Sequence, residues 1–593
     1  MKRISWLLVA AFSLGALAGC TGKQADDSVK QINLSLGDDA KSLDPALCYD
    51  TVSNTIMPMA MESLFEYHFL KRPLELQPLL AEAMPTVSAD KKTYTIKVKK
   101  GVLWQDDAAF PNGKGRELKA ADFIFAWKRM LLPELQSPGT WIFDGKVVGW
   151  DEYRRKLVEN KEKRAELLME EVEGLKALDD YTIQIKLTQA YPQLLNVLAM
   201  GFGAPVAKEV TDKYGQDGLN HRMVGTGAYR LVSYTPGSRV VLEKNPTFRG
   251  QTYPTEGDRE AQETGLLASA GKALPLVDRV NFDIIKQDQP AWLQFMKGNL
   301  DASGIPKDNF DAAISAGQLR PELVSKGVNL RKSEEAVIWY LNFNMKDKIV
   351  GGGAKDLRKA ISMAINRDEF IQKFLNGRGV KATGIVPRVI AGHVSRDEAV
   401  NGYNVEEAKK LMVKAGYPEG KGLPPLKFDL RGSSTTAKQQ AEYIQKSLEV
   451  IGVKLEIIVN TFPAYLEKEK NGNLQFFLGG WNADFPDAEN FLFLLYSKNV
   501  APGPNASNYI NPAFDRLYEK VAAMAPSPAR NQLIKQAEDL AFNDGVWGML
   551  FYPVVYSISH GWLKNFRPDS QIFGEIKYYD IDLEKKKEMK AKL

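Results

Sequence analysis

An α/β chain of more than one domain, carrying some antiparallel sheet, is the fold class predicted here, on three observations. Short segments of strict alternation and longer amphipathic helices follow one another along the whole chain. At 593 residues the chain exceeds what one hydrophobic core holds, so two or three domains are expected. Hydrophobic residues at 44% and charged residues at 25% are ordinary globular values, without internal repeats or low-complexity segments.

The elements follow in order. "QINLSLG" alternates as a strand, and "SLDPA" ends it in a turn. In "KKTYTIKVKKGVLW", Tyr94, Ile96 and Val98 share one face against lysines on the other, the pattern of a half-buried strand. "LKAADFIFAWKRML" follows as a helix with Phe123, Trp127 and Met130 on one face. The charge-dense residues 150 to 178 are predicted helical, and "DDYTIQIKL" returns to strand. Residues 224 to 246 read as two strands around a Pro-Gly turn, and the polar, glycine-rich residues 251 to 272 as a surface loop. "AKDLRKAISMAINRDEFIQKFLNG" is read as one helix with Leu357, Ile361, Ala364 and Ile365 on its apolar face and Gly377 as its C-terminal cap. "VEEAKKLMVKAGYP" is a shorter helix ending at Gly416. "TTAKQQAEYIQKSLEVIG" places Ala441, Ile444, Leu448 and Ile451 at helical spacing ahead of the strand "VKLEIIV".

Charge and cysteines exclude some functions. The net charge of +5 comes from 78 basic and 73 acidic residues spread without long blocks, so the concentrated stripe that nucleic acid demands is missing. The Lys-rich end "LEKKKEMKAKL" reads as a solvated helix end. At the other end, Lys2 and Arg3 precede the apolar "ISWLLVAAFSLGALAG", and Cys20 follows at once. That is a secretory signal, residues 1–19, too short and wrongly flanked for a membrane span. "LAGC" resembles the lipobox of bacterial lipoproteins, which implies cleavage before Cys20, acylation of its thiol and a polar tether over residues 20–30. Cys48 is then left without a disulfide partner.

Catalytic motifs are missing. His68, His221, His393 and His560 are isolated in sequence, and H-E-x-x-H, G-x-S-x-G, Walker and G-x-G-x-x-G patterns do not occur. No enzyme activity, metal or cofactor is therefore expected. Attention moves to "FFLGGWNADFPDAENFLF", residues 476 to 493, where Asp484 sits in an aromatic run around two glycines. A carboxylate entering a core loses several kcal/mol of hydration unless a partner meets it. Asp484 therefore either lies at a turn, capping a helix, or waits for a cation from outside the chain. Asp487, directly before the next helix-like run, is better placed to cap.

Six blocks in one order, from "YTIKVKKGVLWQDD" with "LKAADFIFAWKRML" through "FFLGGWNADFPDAENFLF" to "SNYINPAFDRLYEKV", resemble the extracellular solute-binding proteins of the peptide/nickel class. These are the oligopeptide- and dipeptide-binding components of ABC importers. The resemblance runs from about residue 31 to about 590. It implies a type II periplasmic-binding-protein fold of two hinged α/β lobes plus an extra inserted domain. Lobe I would take residues 24–61, 191–330 and 546–593, the extra domain 62–190, and lobe II 331–545.

The resemblance also implies a site. Trp481, Asn482, Ala483 and Asp484 match the family's motif of Trp, any residue, Ala or Gly, then Asp, in which the aspartate pairs with a peptide's α-ammonium. The backbone around Gly480 and Asn482 would bind the peptide as an added strand, with Thr51 facing it from the early loop. Arg431 stands ten residues before Ala441, where dipeptide-binding relatives hold the ligand carboxylate. The arginine that some oligopeptide binders carry three residues before the tryptophan is Leu478 here. Arg431 has a second reading as a solvated loop cation, and ligand length stays open.

The function expected is a monomeric lipoprotein at the periplasmic or other extracytoplasmic face of the envelope. It would capture short peptides for ABC importer permease subunits and touch the membrane through its lipid only. Alternatives are a peptide or cell-wall-fragment sensor without transport, a binder of a non-peptide ligand on the same fold, and an exported hydrolase.

Overall fold

The computed structural model describes residues 29–215, 217–397, 402–432 and 434–593. The expected signal segment 1–19, the lipidation site Cys20 and all but the last two residues of the tether 20–30 lie outside the described residues.

Lobe I rests on a four-stranded sheet. Gln31–Leu36 pairs in parallel with Arg279–Ile284, and the sheet continues antiparallel through Arg239–Lys244 to Tyr229–Thr235. The Pro-Gly turn joins the last two, where Ser238 N–H bonds to Thr235 O at 3.0 Å and Gly237 takes φ +69°. A second four-stranded sheet, Thr86–Val87, Thr93–Lys97, Thr182–Lys186 and Leu175–Asp179, lies between lobe I segments in sequence. Tyr94, Ile96 and the following Val98 are buried on its inner face, and Phe123 and Trp127 of the helix Ala120–Arg129 are buried together with its C-cap Met130. All six residues join one core with lobe I.

Two readings of this half need correction. Residues 150 to 178 are not one helix. Trp150–Glu159 and Arg164–Leu167 are helical, but Leu175–Asp179 is a strand against Thr182–Lys186. Gly174 turns the chain: a Cβ there would lie 2.7 Å from the backbone of Val148 and Lys186, to which it is hydrogen bonded. Charge density imitates a helix here because the strand's outer residues are exposed. The segment 251 to 272 is likewise no bare loop, since Tyr253 and Ala261 are fully buried and Asp258 and Glu260 both hold the buried Arg567 at 2.7 Å.

The largest sheet among the described residues has eight strands and draws on segments of both expected lobes. Its main path runs Ala302–Gly304, Trp547–His560, Val337–Phe343, Phe476–Asn482, Leu426–Leu430 and Leu455–Val459. The helices Lys355–Met363, Val405–Lys414 and Thr435–Glu449 cover one face, and Pro512–Ala523 and Pro528–Asp544 the other. The helix expected over 354 to 377 is two, because Asn366 accepts from Glu369 N at 3.1 Å and starts a second one, Arg367–Leu375.

The 14-residue strand Trp547–His560 belongs to both halves. Its first part pairs with Val337–Phe343 and its last with Val328–Glu334. No helix among the described residues is long and apolar enough to cross a membrane.

Candidate ligand-binding cleft

The strand Phe476–Asn482 positions the site. Its whole length pairs antiparallel with Val337–Phe343, but on its other side the ladder to Leu426–Leu430 stops at Phe477. Which backbone groups remain follows from alternation. Ala483 N–H bonds to Ala336 O at 2.9 Å, and Asn344 N–H bonds to Gln475 O at 3.0 Å. Odd-numbered residues therefore spend their amides and carbonyls on Val337–Phe343. The same groups of Leu478, Gly480 and Asn482 point to the other edge, where no strand of the described residues lies.

The two glycines answer to the neighbouring strand. A Cβ on Gly479 would lie 2.6 Å from the Tyr340 ring, and one on Gly480 2.9 Å from the Trp339 ring. Tyr340 is itself stacked on Trp547 with centroids 3.6 Å apart. The glycines let two large rings lie across the strand.

Past Asn482 the chain turns, and Asn490 fixes the turn. Its Oδ1 accepts from Trp481 Nε1 at 3.0 Å and from Asp484 N at 2.8 Å, while its Nδ2 donates to Asp484 Oδ2 at 3.0 Å. Tyr49 hydroxyl, from the early loop of lobe I, donates to the same Oδ2 at 3.2 Å. Oδ1 of Asp484 has no hydrogen bond, and no cation pairs with the carboxylate, among the described residues. Burial pushes its pKa up to about 6, against the pull of the bonds from Asn490 and Tyr49.

Asp487 is the contrasting case. Its carboxylate holds the buried Arg530 guanidinium at 2.6 and 2.9 Å and accepts Glu489 N at 2.8 Å, a turn ahead of the helix Glu489–Leu492, whose N-cap is Ala488 and not Asp487. Glu489 is buried, and burial raises its pKa to about 7 despite the hydroxyl bond from Tyr518 and the nearby Lys146. Tyr191 faces Glu489, Asp487 and Asp484, and burial with their charges holds its hydroxyl well above the ordinary range.

The structure brings Gly480, Trp481, Asn482, Ala483 and Asp484 together at one strand end. Thr51 is exposed at the start of the helix Thr51–Ile56, two residues past Tyr49. Arg431 is exposed just after Leu426–Leu430, at the far end of the open edge, and its charge acts on Glu469. Cys48 is buried, with its Sγ 3.4 Å from Asn54 Oδ1. Tyr49, Asn490 and Gln571, whose Nε2 donates to Ala483 O at 2.5 Å, were not foreseen. Neither periodicity nor local motif marks them, because each acts across the fold or around a turn. Among the described residues no three metal-ligating side chains come together.

Residues 75–503 match the profile of the bacterial extracellular solute-binding proteins, family 5, middle region. The chain belongs to this family. Family 5 proteins bind solutes and are not enzymes. A dipeptide-binding protein of Escherichia coli K12 is 26% identical over 470 residues, covering 78% of each chain. The periplasmic oligopeptide-binding protein OppA of Salmonella typhimurium is 22% identical, covering 94% of this chain and 95% of its own. Among solved structures, the periplasmic binding protein DppA of Helicobacter pylori in complex with the peptide STSA superposes with a TM-score of 0.73. The two are 23% identical, over 93% of this chain and 98% of that one. The fold is the type II fold of periplasmic peptide-binding proteins, with mixed α/β lobes.

Proposed function

We propose that this chain captures short peptides between its lobes and delivers them to the permease subunits of an ABC importer. One observation carries the reading: Asp484, a half-buried carboxylate with a free oxygen and no cation among the described residues, stands at the end of an open strand edge. A peptide laid antiparallel along Leu478, Gly480 and Asn482 places its α-ammonium at Asp484 Oδ1 and spends its backbone bonds on the strand. Affinity then rests on main chain and terminus, which every peptide has. A desolvated ammonium–carboxylate bond of this kind is worth on the order of 1.5–3 kcal/mol. Trp481 and Ala483 shape the end of the site, and Thr51 lines it from lobe I. Arg431 meets the peptide's carboxylate where Leu426–Leu430 closes the edge.

The remaining assignments belong to the same reading. Lobe I comprises 24–61, 191–330 and 546–593, the extra domain 62–190 and lobe II 331–545, with the shared strand Trp547–His560 as part of the hinge. The protein is a monomer, exported by residues 1–19 and held at the membrane by a lipid on Cys20. Support for export comes from the family, extracellular by description.

Thermal unfolding of residues 21–593 with pooled di-, tri- and tetrapeptides, free and N-acetylated, tests the reading. A ligand at about 100 times its dissociation constant adds roughly 2.7 kcal/mol. Stabilisation by free peptides only is the expected result. Equal stabilisation by both forms removes Asp484 from its role. No response, from a sample shown free of carried-over peptide, would point to a non-peptide ligand.

A further inference from the structure

The C-terminal helix Leu583–Lys590 buries none of its residues. Leu583, Met589 and Leu593 lean on the lobe I core, while Lys585, Lys587, Lys590 and Lys592 are exposed. Two neighbouring turns enlarge this basic surface. Gly298 abuts Lys590 and Leu593, and Gly327 abuts Met589, which places the exposed Lys297 and Lys326 beside the helix. Glu584 and Glu588 offset part of the charge, Glu588 by pairing with Lys592 at 2.6 Å. The remainder is a cationic face on a chain whose charges are otherwise evenly mixed.

This face lies where the chain enters the fold. Lys30 pairs with Asp580 at 2.7 Å, three residues before the helix, and Lys586 Nζ reaches Gln31 O at 3.5 Å and Asp301 at 2.8 Å. The path from Cys20 to Val29 is short, a reach of about 30 Å at full extension. The strand Gln31–Leu36 then leads away from this pole toward the loop that carries Tyr49 and Thr51. Tether and basic helix therefore share one pole.

We propose that the exposed lysines of the C-terminal helix, with Lys297 and Lys326, rest on anionic lipid headgroups. Flexible ammonium groups suit a fluid anionic surface, where each contributes through its charge rather than through fitted geometry. The pole shared with the tether matters only on the lipid-anchor reading, but the headgroup affinity does not depend on it.

The test is flotation of residues 21–593 with vesicles of phosphatidylcholine alone or mixed with phosphatidylglycerol. All described structure starts at residue 29, so removing the first twenty residues takes none of it. The expected result is binding to the mixed vesicles only, weakened by added salt. A variant combining Lys585→Gln, Lys587→Gln, Lys590→Gln and Lys592→Gln should bind about tenfold or more weakly. Its thermal midpoint should be unchanged, since these side chains are exposed. Equal binding by the variant, or no preference for anionic vesicles, overturns the proposal. The mass of the N-terminal peptide of the full-length protein from cells tests lipidation of Cys20 separately.

Discussion

Two carboxylates three residues apart do opposite things, and the difference is measurable. Asp487 and Arg530 form a buried pair, so Arg530→Met should leave an uncompensated charge and cost about 3–5 kcal/mol, read from the urea midpoint. Asp484 has no cation to lose. Asp484→Asn should leave stability unchanged or raised, while affinity for free peptides drops about tenfold to a hundredfold. The pH dependence has two signs. The folded state raises the Asp484 pKa from 3.8 to about 6, so it holds the proton more tightly than the unfolded chain does. Its contribution to stability is full below pH 3.8 and is lost as the pH rises through 6. Peptide affinity moves the other way: it is full above about pH 6 and falls below it, as the carboxylate neutralises. Titration calorimetry across this range should show proton release on binding below pH 6, absent in Asp484→Asn.

At the scale of elements, the open edge of Phe476–Asn482 makes a prediction about backbone. A tripeptide N-methylated at one internal amide should lose affinity while its ammonium and side chains stay intact, since the strand reads main chain. Gly479→Ala should cost about 1–3 kcal/mol by urea unfolding, because the Tyr340 ring it strikes is pinned against Trp547. Much of this architecture was legible in the sequence. Tyr94, Ile96 and Val98 declared their face by alternation, and Ala441, Ile444 and Leu448 by helical spacing, because burial on one side leaves a period. Glycine-marked turns at 237 and 416 were legible for the same local reason. The strand Leu175–Asp179 was not, since a short strand exposed over its last three residues carries little period. Nor was Tyr49, whose role depends on a partner 435 residues away. Of the candidate site, the stretch from Trp481 to Asp484 stood out in the sequence, whereas the stop of the ladder at Phe477 required the sheet itself.

At the scale of the whole molecule, the contacts of Tyr49 with Asp484 and of Gln571 with Ala483 join the segments proposed as lobe I and lobe II at the proposed cleft. Closure is thus favoured by bonds that need no ligand. The Tyr49 hydroxyl uses Oδ2 and leaves Oδ1 open, so the bond assists closure without blocking capture. A ligand shifts such an equilibrium only by its difference in affinity for the two forms. Tyr49→Phe removes one bond to a charged group, about 1.5–3 kcal/mol from the closed form, and should move the ligand-free population toward open by roughly tenfold or more. Small-angle scattering should then find a larger radius of gyration without peptide and the ordinary compact value with it. If the two proteins scatter alike without peptide, the bond contributes nothing to closure and the hinge is set by its strands alone. With the bond gone, peptide must draw back the open fraction, so the variant should bind more weakly in proportion to its loss of closed population. Affinity and scattering would then report one free energy measured twice.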